Sequence, residues 1–180
     1  MTMDLTEKCI HREGRYAGLL VNVHVDQVEL PNGHTSQREV VDHVDGVAVL
    51  PLDEENNVLA VTQYRYAFGK TLLEIPAGKL DPGEDPAAGA LRELEEETGA
   101  VPDTFLPLGR LLPSPGCYGE TIHLFLAKDL HMGDQHPDAD EFLQLERVPF
   151  DEMVHRIMRS EIDDAKTVAA VLKAKLLLDL

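Results

Sequence analysis

Between residues 19 and 30 apolar and polar positions alternate, with Val21, Val23 and Val25 on one side and Asn22, His24 and Asp26 on the other. A period of two is that of a strand with one covered face. Pro31, Asn32 and Gly33 then supply turn chemistry, which predicts an N-terminal β-hairpin returning over residues 35–43. Further strands are predicted over residues 46–52 and 58–65, joined by a polar turn, with a short one over 71–75. Four or five strands thus precede any helix. Asp85 can cap free amides, Pro86 fits a first helical turn and Gly99 is a suitable stop, so a helix is predicted over residues 86–98. Beyond it lie predicted strands over 105–111, 121–127 and 142–148 and predicted helices over 151–159 and 164–178. Met153, Val154, Ile157 and Met158 recur at helical spacing, as do Val168, Val171, Leu172 and Leu176, and both sets read as packing stripes. The order reads as an α/β or α+β architecture, a mixed sheet packed between helices.

At 180 residues, 43% of them hydrophobic, the chain is sized for one compact domain with a proper core. Sixteen Lys and Arg against 33 Asp and Glu give a formal net charge of -17. Such a chain repels phosphate backbones and anionic headgroups, so neither a nucleic acid nor a membrane surface is an expected partner. Cys9 and Cys117 form no C-x-x-C pair, and the first nine residues carry charges in place of an apolar signal core. A cytoplasmic location is the expectation. The most apolar stretch, from residue 168 onward, is interrupted by Lys173, Lys175 and Asp179, whereas a membrane helix needs about 20 apolar residues. The eight histidines are scattered and read as solvated or satisfied, and Cys117 reads as an inert thiol.

The predicted helix over 86–98 carries the chemistry. At about 100° per residue, Glu93, Glu96 and Glu97 share one face, while Ala87, Ala90, Leu91 and Leu94 form a separate apolar stripe. Three carboxylates at contact spacing repel one another, and Arg92, which can reach Glu96, does not neutralise them alone. A hard divalent cation with oxygen ligands, Mg²⁺ or Mn²⁺, is the physical inference. From these residues alone the other reading is a solvated acidic face, and Glu95 reads as solvated in either case.

The flanks extend the pattern. GKLDPGEDPAAGALRELEEETGA, from Gly78 onward, resembles the Nudix hydrolase signature at Gly78, Glu84, Arg92, Glu93, Leu94, Glu96, Glu97 and Gly99, with Ala100 a weak occupant of the last apolar position. The stretches ELPNGHTSQREVVDH, VTQYRYAFGKTLLEIPAGKL, PSPGCYGETIHLFLA and HPDADE look like the bacterial ADP-ribose pyrophosphatase subgroup. The resemblance implies a Nudix fold with an N-terminal β-hairpin extension, residues 1–44 serving dimerisation and 45–180 forming the hydrolase domain. It implies Mg²⁺-dependent hydrolysis of ADP-ribose to AMP and ribose 5-phosphate by a homodimer. Glu93, Glu96, Glu97 and the Ala77 carbonyl would be metal ligands, and Glu84 and Arg92 would brace the loop. Gly78 and Gly99 would allow turns at either end. Arg65 would meet the diphosphate, while Arg38 and Glu39 would approach the partner's adenosine pocket. A carboxylate base completes the site: Glu141 in the acidic loop 136–141 is the first choice, then Glu120, then Glu97. The rivals are another nucleoside diphosphate sugar, such as GDP-mannose or ADP-glucose, and a non-catalytic ADP-ribose sensor. The full glutamate set and the absence of a basic segment speak against the sensor.

Overall fold

The computed structural model of the chain describes residues 3–137 and 141–178. Asp138, Ala139 and Asp140 of the acidic loop, and Asp179 of the tail, lie outside the described residues. The chain forms two compact units, Met1–Val44 with Leu112–Glu120, and Asp45–Leu111 with Thr121–Leu180.

In the first unit β1 (Lys8–Ala17), β2 (Val21–Glu29) and β3 (Thr35–His43) make an antiparallel sheet in that order. β2 and β3 are the predicted hairpin, with Val21 opposite His43 and Glu29 opposite Thr35. The extension is therefore three-stranded, where two strands were expected. β1 is exposed along its whole length, so its ladder with β2 holds it and no buried face marks it in the sequence. The loop from Leu112 returns to β3: the Val41 amide donates to the Cys117 carbonyl at 2.8 Å, and the Gly119 amide to the Val41 carbonyl at 2.9 Å. One face of β2 buries His24, Asp26 and Val28. Arg12 donates to both Asp26 oxygens, at 2.9 and 2.8 Å, and His24 Nδ1 lies 2.8 Å from the same carboxylate. Cys9 and Cys117 are free and exposed.

The second unit is organised about β4 (Gly46–Pro51), which is buried at every position. β4 pairs in parallel with β9 (Ile122–Met132) and antiparallel with β7 (Ala77–Lys79), and β8 (Ala100–Leu111) closes the mixed order β7-β4-β9-β8. A second sheet has the order β10 (Leu143–Pro149), β5 (Asn57–Arg65), β6 (Lys70–Glu74). Among the described residues three α-helices follow the strands at intervals, α1 (Pro86–Thr98), α2 (Phe150–Met158) and α3 (Ala165–Leu178). Among the described residues seven strands precede α1 instead of four or five, because β1 and the three-residue β7 carry no alternation.

Strand alternation splits the core in two. Val47 and Val49 of β4, Leu59 of β5 and Phe125 and Ala127 of β9 pack with Ala90 and Leu94 of α1. The intervening Ala48, Leu50, Ala60, Leu124 and Leu126 pack with Met153 and Val154 of α2 and with Ala170, Val171 and Ala174 of α3. The mixed sheet thus lies between helices, as expected. A strand covered on both faces reads as a continuous apolar run, which is why GVAVLP shows no polar partner positions. Each aliphatic side chain so buried contributes about 1.5–3 kcal/mol. The predicted stripes are too broad at their edges: Leu91, Met158 and Leu176 are exposed, the last two lying at or near a helix end. Among the described residues no helix is long and apolar enough to cross a membrane.

Candidate functional site

α1 begins and ends where the sequence places it. Asp85 accepts from the amides of Ala87 and Ala88, Pro86 occupies the first turn, and Gly99 closes the helix at φ 71° with its amide on the Glu95 carbonyl. That positive φ is the left-handed conformation in which glycine has no steric penalty. The helix buries Ala90 and Leu94 against the sheet, and its 3.6-residue period leaves Glu93, Glu96 and Glu97 at the flank of that face. Glu95 points to solvent, as expected.

Glu97 is the deepest of the three, 2% exposed, and accepts from the Ala77 amide of β7 at 3.1 Å. Burial, with the charges of Glu93 and Glu141 added, pushes its carboxyl up to about 8 against one favourable amide bond. Glu93 is also buried, and burial pushes it up as well. Glu96 is half-buried. Arg92 lies across the group: Nη1 donates to Glu93 at 2.9 Å and to Glu96 at 3.0 Å, while Nε and Nη2 fork onto Glu84 at 3.0 and 3.1 Å. A further Nη2 bond reaches the Lys79 carbonyl at 3.2 Å. The Glu84 fork raises Arg92 further above its ordinary value and lowers Glu84, whose carboxylate also accepts from the Asp81 amide at 2.9 Å. Glu84 and Arg92 therefore tie the loop to the helix.

Gly78 has a different role from the expected turn. It lies in β7, and a Cβ built on it falls 2.0 Å from the Glu93 carboxyl carbon and 2.1 and 2.2 Å from its oxygens. The absent side chain is the seat of the Glu93 carboxylate. Sequence reading found the glycine and not this reason, since the two residues meet only through the fold.

Among the described residues no group of three or more His, Cys, Asp or Glu side chains stands gathered as a metal cage. Arg92 supplies the positive charge between Glu93 and Glu96 instead. The donors nevertheless suit a hard divalent cation: they are all oxygen, two are buried carboxyl groups, and Gly78 gives one of them its cradle.

The other expected residues fall in several places. Arg65, at the end of β5, forks onto Glu74 through Nε and Nη2, both at 2.8 Å. Glu141 lies with Thr62, Tyr64, Thr71, Phe142, Leu143 and Gln144 around an open cleft of about 460 Å³, and its charge is felt by Glu93 and Glu97. Glu120, in the first unit, lies 3.6 Å from His43 Nδ1. Arg38 forks onto Glu7, at 2.9 and 2.5 Å, and Glu39 is exposed on β3. Two features carried no sequence signal. Residues 133–136 cap the C-terminus of α1, with Gly133 N donating to Gly99 O at 2.6 Å, His136 N to Glu96 O at 2.9 Å and the Gln135 side chain to Glu97 O. Lys166 of α3 reaches the buried Glu74.

Comparison with known proteins agrees with this geometry. The NUDIX domain matches residues 42–171. A methanol dehydrogenase activator of Bacillus methanolicus is 46% identical, over 92% of this chain and 90% of its own length. An ADP-ribose pyrophosphatase of Bacillus subtilis strain 168 is 40% identical, over 93% of this chain and 91% of its own. A crystal structure of an ADP compounds hydrolase superposes with a TM-score of 0.86 at 22% identity, over 99% of this chain and 97% of that one, a likeness of fold. The helix of buried glutamates, its arginine brace and the match over residues 42–171 together make the chain a member of the Nudix hydrolase family.

Proposed function

We propose that the chain hydrolyses the diphosphate of ADP-ribose to AMP and ribose 5-phosphate with Mg²⁺, Mn²⁺ being the alternative ion. The observation that supports this best is the buried pair Glu93 and Glu97 within electrostatic reach of Glu141, carboxyl groups whose burial disfavours their charged forms and which a divalent cation would hold ionised. Nudix hydrolases generally need a divalent metal, and the 40% identical relative is named for this substrate.

Glu93, Glu96 and Glu97 with the Ala77 carbonyl would hold the cation. When bound it would neutralise diphosphate oxygens and make a nearby water more acidic than bulk water. Arg65 binds a non-bridging oxygen of the diphosphate. Glu141 takes the proton of the water that attacks phosphorus, with Glu120 and then Glu97 next in order for that part. The attack breaks the bond to the bridging oxygen and leaves two monophosphates.

Residues 1–44 serve a homodimer in which Arg38 and Glu39 reach the adenosine of the partner's substrate, and residues 45–180 carry the chemistry. The location is the cytoplasm. AMP release from ADP-ribose, set against ADP-glucose, GDP-mannose and NADH, tests the substrate. A preference for another member overturns the ADP-ribose assignment, and tight binding without turnover favours a sensor. The 46% identical activator favours a second reading, in which the same site acts to switch on a dehydrogenase. Methanol dehydrogenase turnover measured with wild type and with Glu97→Gln tests it; stimulation lost in the variant supports it.

A further inference from the structure

β6 ends in Glu74, a carboxylate with no part in the chemistry above. Glu74 is 1% exposed and receives three donors: Arg65 Nε and Nη2, and Lys166 Nζ from α3, 92 residues away. Lys166 is itself buried and holds Asp164 Oδ1 at 3.0 Å. The other oxygen of Asp164 accepts from the Thr167 amide at 3.0 Å and hydroxyl at 2.6 Å, so its charge sits on the first turn of α3. Thr167 Oγ1 in turn accepts from the Ile75 amide at 3.0 Å. Two residues on, the Ala77 amide holds Glu97. A stretch of four residues, 74–77, therefore joins this group to the carboxylate face of α1.

Buried ion pairs give little net stability, and apolar residues of like volume often serve as well. A cation buried here calls for another reason. An isolated Arg65–Glu74 fork is a neutral pair in which the guanidinium is fixed and its field cancelled. A second cation on the same carboxylate changes that balance. Arg65 remains fixed by two bonds, yet its outer face stays positive; its side chain is 37% exposed, and Nη1 has no hydrogen bond among the described residues. Its charge is felt at Glu97, so the guanidinium lies within electrostatic range of that carboxyl.

We propose that Lys166 is a positioning residue for the hydrolysis: by sharing Glu74 with Arg65 it leaves the fixed guanidinium charged toward the diphosphate. This rests on the reading of Arg65 as the diphosphate ligand. Lysine thereby sets substrate affinity from α3 without touching substrate.

The test is steady-state AMP release from ADP-ribose by Arg65→Ala, Lys166→Gln, Lys166→Arg and the double variant Arg65→Ala/Lys166→Gln, each with a thermal melt. Glutamine keeps a donor and most of the volume and removes the charge. Expected are a KM about tenfold higher in Lys166→Gln with kcat within about threefold, and a wild-type KM in Lys166→Arg. The double variant is expected to be no worse than Arg65→Ala, because the second residue acts through the first. Effects that multiply in the double variant, or an unchanged KM in Lys166→Gln, overturn the proposal while leaving Arg65 in place. An unchanged KM in Arg65→Ala overturns the diphosphate assignment and this proposal with it. If Lys166→Gln does not fold, Lys166→Arg decides, a tenfold higher KM there being the refuting result.

Discussion

Replacing Gly78 by alanine puts a methyl group where the Glu93 carboxylate now lies. The new Cβ stands 2.0 Å from the carboxyl carbon, and ordinary contact starts at 3.4 Å, so the carboxylate must retreat by about 1.4 Å. Glu93 has little room for this, being buried and held by Arg92 at 2.9 Å. Misplacing a group of a catalytic site by about 1 Å can lower the rate about 100-fold. Overpacking of this kind costs about 1–3 kcal/mol, and each kcal/mol lowers Tm by about 2–4 °C at this chain length. The expected result is a folded protein, melting about 2–12 °C lower, whose kcat for AMP release falls about 100-fold and whose Mn²⁺ affinity, read by electron paramagnetic resonance, falls with it. Adding Glu93→Asp, one methylene shorter, should recover part of both. A Gly78→Ala variant with a kcat within threefold of wild type and unchanged Mn²⁺ affinity would refute the idea that this glycine seats a metal-binding carboxylate.

Other outcomes follow from the same geometry. Glu97→Gln should lose about 100-fold or more in kcat while folding normally, and unchanged turnover would remove Glu97 from the site. With the carboxyl of Glu97 pushed up to about 8, the native state without metal holds a proton that the unfolded chain releases near 4.5. Stability in EDTA should therefore fall as pH rises from about 4.5 to about 8, and Glu97→Gln should flatten that slope in urea titrations. Saturating Mg²⁺ should raise the wild-type melting temperature most at the alkaline end, and a metal effect independent of pH would count against the assignment. Gly99→Ala forces a side chain into φ 71° with its Cβ 2.4 Å from the Gly133 carbonyl oxygen, so a Tm lower by several degrees is expected from calorimetry.

Legibility followed the range of the interactions. α1 was readable to the residue because Asp85, Pro86 and Gly99 are local signals, and the face of Glu93, Glu96 and Glu97 follows from helical period alone. β2 and β3 were equally plain as strands, since a period of two and a three-residue turn mark them, but the covered face of β2 is that of His24 and Asp26, paired with Arg12, and the valine face is only half-buried. β1 was hidden because no position on it is covered, and β7 because three residues cannot show a period. The reason for Gly78 and the pairing of Glu74 with Lys166 depend on chain segments 15 and 92 positions apart that meet only after folding. The family resemblance named Arg65 and left silent what holds it.

The double burial of β4 makes one six-residue strand the common datum for both helical layers. Val47 and Val49 locate the helix with the glutamates, and Ala48 and Leu50 locate the helix with Lys166. A slip of one residue along β9 would exchange the two sets, setting small side chains where bulky ones belong and overfilling the opposite side at once. Errors on the two sides cannot cancel, so misregistered forms lie far above the correct one. The same strand should then be the last to open, with the amides of Val47 to Leu50 exchanging only through global unfolding. A site that needs carboxylates placed to within an ångström is thereby referenced to the least deformable part of the chain.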